Sequence, residues 1–139
     1  MTTASLLALV SYGLAAALSM AFGAIYLVRS RFMPYHQEAL GLPWQEVDPR
    51  VQTLSLALMR TAGGGLLASG IGAAAMLLIP FLAGETWPRY AIPVVALVAA
   101  GPAYYATMLV RRRTQAHSPV VAGASAIVLI VLGILLSLF

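Results

Sequence analysis

Residues 51–81 read VQTLSLALMRTAGGGLLASGIGAAAMLLIPF, a run of 31 residues whose one charge is Arg60. An amphipathic helix of a soluble protein keeps a polar face, and this run has none. It exceeds the ~20 residues that a helix needs to cross the hydrocarbon of a bilayer at a rise of ~1.5 Å per residue. Small residues recur every fourth position: Gly64, Ala68 and Gly72, beside Gly65, Ser69 and Ala73. In lipid, such stripes let helix backbones approach closely, within one protomer or between two. The segment reads as a membrane span.

Working outward, three more apolar runs share this character. They are residues 5–28, about 87–110, and 120–139. Gly13, Ala17 and Ala21 repeat the small-residue spacing in the first. Ala96 and Ala100 do so in the third, and Ala122 with Ala126 and Gly133 with Ser137 in the fourth. The punctuation agrees. Asp48-Pro49 supplies a capping acceptor and a first-turn proline ahead of the second span, and Ser118-Pro119 is expected to do the same for the fourth. Pro80 closes the second span, while Pro93 and Pro102 fall within the third. No basic stretch precedes the first run, so it reads as a retained span rather than a leader. The expected fold is an all-α integral membrane protein, a four-transmembrane-helix bundle in one domain over residues 1–139.

Composition points the same way. Of the 139 residues, 61% are hydrophobic and 9% charged, against about 45–50% and 25% in soluble domains. There is no cysteine, which excludes disulfides, thiolate metal sites and a cysteine nucleophile. The net charge of +4 comes entirely from arginine. Those arginines flank apolar runs, so they read as topology signals and not as a nucleic-acid footprint. Six of them (Arg29, Arg31, Arg50, Arg111, Arg112 and Arg113) lie in the first and third connections, against Arg89 alone on the other side. That bias predicts both connections in the cytoplasm, an N-out/C-out topology and a bacterial inner-membrane location.

Arg60 is the costliest residue in the spans. It is expected either to snorkel to the headgroups or to find partners. Tyr104, Tyr105 and Thr107 fall at a similar depth in the third span, and Tyr26 one turn from the end of the first. A cation beside glycines and tyrosine hydroxyls suits a lipid phosphate or carboxylate. The candidate ligand-binding set is therefore Arg60, Tyr105, Tyr26, Tyr104 and His36.

The first connection is rich in aromatics: FMPYHQEALGLPWQEV over residues 32–47. Pro34 can open a short helix and Gly41 close it. Tyr35 and Trp44 are expected to anchor it along the lipid interface. His36, Glu38, Glu46, Asp48 and His117 lie on the same side, but their spacing matches no metal motif, so no metal or cofactor is predicted. His36 with Glu38 is the sole candidate acid–base pair, and no nucleophile accompanies it. Arg111, Arg112 and Arg113 are expected to meet anionic headgroups.

The stretch from Phe32 to Gly72 resembles a group of small bacterial four-span membrane proteins without an assigned activity. The resemblance rests on Met-Pro-Tyr-His at residues 33–36, Ala39-Leu40-Gly41 with Trp44, Met59-Arg60 with the glycine triplet, and Tyr105-Ala106-Thr107. It implies a fold and a membrane location, and no mechanism. Small multidrug exporters have similar length and span number, but couple transport to an acidic residue in the first span; residues 5–28 here contain none. The leading functional expectation is a non-catalytic protein. It would bind a lipid, an amphiphile or a partner membrane protein through the cytoplasmic half of the bundle, with residues 33–47 as a lid. An oligomeric transporter or channel for a small anion or amphiphile is the first alternative. A membrane enzyme using His36 and Glu38 is the second.

Overall fold

The computed structural model describes residues 2–138, and the fourth-span terminus expected at Phe139 lies outside them. The elements are α1 (Thr3–Val28), α2 (Pro34–Leu40), α3 (Pro49–Met76), α4 (Pro88–Thr114) and α5 (Val120–Ser137), with a 3₁₀ turn at Trp44–Glu46. No strand occurs among the described residues. Four helices are long and apolar enough to cross a membrane, which makes this a multi-pass membrane protein by length and composition.

Local chemistry explains most boundaries. The Asp48 carboxylate accepts the Arg50 N–H at 2.7 Å and caps α3, with Pro49 as its first residue. Gly41 closes α2 at φ 66°, a left-handed conformation that glycine adopts without strain. At the far end of α3, Pro80 cannot donate to the helical ladder. The chain there widens into a π turn over Leu77–Phe81, which keeps Leu77 and Phe81 both buried. Ser118 does not cap α5: its hydroxyl donates to the Thr107 carbonyl at 2.8 Å, tying the turn back to α4, and the helix starts at Val120 behind Pro119. Arg111, Arg112 and Arg113 belong to the last turn of α4, where cations oppose the helix dipole favourably.

In cross-section the order is α1, α3, α4, α5, closing back on α1. The tightest seam joins α1 to α3. A Cβ on Gly23 would lie 2.6 Å from the Leu67 nitrogen, one on Gly63 2.8 Å from the Gly23 oxygen, and one on Gly70 2.8 Å from the Ala16 oxygen. The contact glycines are therefore Gly23, Gly63 and Gly70. Gly13, Gly64, Gly65 and Gly72 of the expected stripes meet nothing within 4 Å. The pairs 16/23 and 63/70 are each seven residues apart, the repeat of a left-handed helix pair. Across the bundle, Gly133 of α5 receives the Tyr12 ring and Gly123 the Tyr104 ring. Tyr12, Ile92 and Ile130 are almost wholly buried, and this central core lies away from the arginine-rich end.

The segment between α1 and α3 folds over the arginine-rich end as a cap with a core of its own. Phe32, Val47 and Met59 are buried together, with Trp44 edge-on to Phe32 at 4.6 Å between ring centres. The side chain of Gln52 donates to the carbonyls of Trp44 and Val47 and staples the 3₁₀ turn to α3. Tyr35 is 7% exposed. The two aromatics expected to lie on lipid are thus packed into the protein, because the turns at Gly41 and Pro43 bring the segment back onto α3.

Candidate functional site

An interhelical cavity of ≈ 910 Å³ runs through the bundle, within the range of ligand-binding cavities. On α4 its lining extends from Ile92 to Val110, about 27 Å at ~1.5 Å per residue. Small side chains make the room: Ala62, Gly65, Ala99, Ala103 and Ala126 line it where larger residues would close the helices together.

The exposure of the lining shows where the cavity opens. On α1 and α5 every lining residue is buried or half-buried. Exposed lining residues occur only on α3 (Leu58, Ala62, Gly65) and α4 (Val94, Val98, Pro102, Ala106). These two runs face one another across the loosest of the four seams, bridged by a 3.4 Å hydrogen bond from the Ser69 hydroxyl to the Val95 carbonyl. The mouth is lateral, lies along the spans, and is apolar on both lips.

Polar groups gather at the cap end. The Tyr26 and Tyr35 hydroxyls hydrogen-bond to one another. His36 lies against the Tyr35 ring at 4.2 Å and the Phe32 ring at 5.9 Å, both edge-on. The Met33 backbone N–H donates to His36 Nδ1 at 3.3 Å. Burial lowers the pKa of His36, keeping the ring neutral, and burial followed by the Tyr26 hydrogen bond raises that of the Tyr35 hydroxyl. Of the other lining hydroxyls, Ser19 donates to the Leu66 carbonyl at 2.7 Å and Thr107 to that of Tyr104 at 2.8 Å, while the Tyr12 hydroxyl is buried without a partner and that of Tyr104 has none among the described residues.

Of the expected ligand-binding set, Tyr26, Tyr104 and His36 line this cavity. Arg60 and Tyr105 do not: both are exposed, and Arg60 makes no side-chain hydrogen bond or ion pair among the described residues. The reason is angular. Met59 is buried in the cap core, so Arg60, one residue further round the helix, points outward; Tyr104 packs on Gly123, so Tyr105 points outward. Register also sets the depth of Arg60. Gly63 meets Gly23 and Tyr26, which puts Arg60 level with the last turn of α1, near Arg29 in height. Tyr35 was expected as a lipid anchor and is a cavity residue; its neighbour His36 on α2 was the available signal.

Glu38 and His36 do not act on one another. Glu38 Oε2 accepts from the His117 backbone N–H at 2.8 Å and meets His117 Nδ1 at 2.9 Å, which latches α2 to the α4–α5 turn. The backbone N–H first, then the imidazole, lower the pKa of the Glu38 carboxyl. Among the described residues no three of His, Asp and Glu come together as a metal would require.

No protein-family model, no curated protein and no solved structure matches the chain. That agrees with its resemblance to a group without assigned activity, and the functional reading rests on the cavity.

Proposed function

We propose that this protein binds an amphiphile drawn sideways from the bilayer into the interhelical cavity, without catalysis. One observation carries the reading: the exposed part of the lining lies only on α3 and α4, along two helices long and apolar enough to cross a membrane. A chain dissolved in the membrane reaches that mouth without crossing water. In this reading the arginine-rich end is cytoplasmic, both termini are outside, and the membrane is the bacterial inner membrane. Arg60, Arg111, Arg112 and Arg113, all exposed, then sit among anionic headgroups at about 1 kcal/mol each. The cap over residues 32–47 closes the cytoplasmic end of the cavity.

Native mass spectrometry of protein released from lipid nanodiscs tests the proposal. The wild type should retain one amphiphile. Ala99→Trp, which fills the middle of the lining, should lose it. Equal retention by the two proteins would sink the reading. Labelling a cysteine placed at Thr2 tests the topology: access only from the cytoplasm would reverse it.

A further inference from the structure

The charges that the cavity lacks, and the donors that it leaves unspent, specify the head of its ligand. No Asp, Glu or Arg lines it. Its ring-borne polar groups are the hydroxyls of Tyr12, Tyr26, Tyr35 and Tyr104 and the His36 imidazole, with no carboxylate or guanidinium among them. Each wall contributes to this neutrality. On α3 Arg60 turns away, on α4 Arg111 to Arg113 lie beyond the last lining residue, and on α2 Glu38 is held by His117. An ionised head drawn into this space would lose its water and meet no counter-charge.

The donor count is as specific. The Met33 N–H occupies His36 Nδ1, and an N–H can only donate, so Nδ1 is unprotonated and the ring hydrogen is on Nε2. The Tyr26–Tyr35 pair holds two hydroxyl hydrogens, of which their mutual bond uses one. The cap end therefore brings two unspent donors together, one O–H and one N–H, whereas the other unspent hydroxyls of the lining, Tyr12 and Tyr104, stand singly on α1 and α4. We infer that the cavity selects an uncharged, long-chain lipid whose head presents a hydrogen-bond acceptor (an ester or other carbonyl, or a hydroxyl oxygen), seated at Tyr26, Tyr35 and His36 with its chain running toward Ile92 and Ile130. This rests on the proposed binding function and adds the ligand class to it.

A series of probes sharing one oleyl chain separates the two. Methyl oleate, oleyl alcohol, oleyl sulfate, oleyltrimethylammonium and octadecene are offered singly to the full chain in phosphatidylcholine nanodiscs. Retention is scored as the part that Ala99→Trp abolishes. The expected result is methyl oleate and oleyl alcohol retained about tenfold over octadecene, the ratio that two hydrogen bonds of ~0.7 kcal/mol each give, and also above the sulfate and the ammonium, whose charges would lose their water and meet no counter-charge. Tyr26→Phe/Tyr35→Phe should narrow that ratio; should this variant not fold, the wild-type ranking alone decides. Octadecene retained as well as methyl oleate would overturn the head assignment and leave the cavity function standing. Preferential retention of the sulfate or the ammonium would also overturn it. No cavity-dependent retention of any probe would overturn the binding function itself.

Discussion

Gly23 and Gly65 are both glycines within spans, yet they do different things. A methyl group on Gly23 would press on the Leu67 backbone at 2.6 Å, and backbone cannot swing aside. Gly23→Ala is therefore expected to destabilise the bundle by about 1–3 kcal/mol, the usual cost of overpacking. Gly65→Ala has nothing within 4 Å to meet and should leave the thermal midpoint in detergent unchanged or slightly raised. Similar losses for both would contradict the α1–α3 seam. Arg60 makes a second contrast at this scale. It lies outside the cavity, so Arg60→Leu should leave amphiphile retention in nanodiscs unaltered, while Tyr35→Phe lowers it severalfold. A loss of binding in Arg60→Leu would restore the expectation that the sequence alone suggests.

Among the elements, the cap has the most to lose with pH. Burial holds the His36 pKa below the ordinary value of 6.5. An opened cap therefore binds a proton before the closed one does, and closure weakens as pH falls through about 6.5. Glu38 acts lower on the scale. Its pKa is depressed from 4.5 by the His117 contacts, so its contribution is complete above that value and is lost as pH falls through the folded pKa beneath it. Amide exchange over residues 32–47, corrected for its intrinsic pH dependence, should speed up from pH ~7.5 to pH ~5.5. His36→Gln should flatten that response, and a response unchanged by the substitution would assign it elsewhere. Glu38→Ala should speed exchange in α2 at neutral pH without touching α1 or α5, since the latch spans only α2 and the α4–α5 turn.

For the whole molecule, the proposed function makes the mouth between α3 and α4 a gap that an amphiphile chain would fill. A bound amphiphile stabilises the state that binds it, by ~2.7 kcal/mol when its concentration is a hundred times Kd. Delipidated protein should therefore melt several degrees below the same protein given methyl oleate, and Ala99→Trp should melt at one temperature with or without it. A shift that persists in Ala99→Trp would place the stabilising lipid on the outer surface.

The sequence alone determined the number of spans, the capping at Asp48 and the short helix from Pro34 to Gly41. These depend on apolar length, on turn chemistry and on a fixed rise per residue. It left undecided which side of each helix turns inward: Met59 rather than Arg60, Tyr104 rather than Tyr105, Gly63 rather than Gly64. In water a polar stripe would mark the outer face. In lipid the outer face is as apolar as the inner one, so a span carries little azimuthal signal. Only the packing of α1 on α3, of α4 on α5 and of the cap on α3 set those rotations. With them came the cavity, its lateral mouth and the neutral polar cluster at its capped end.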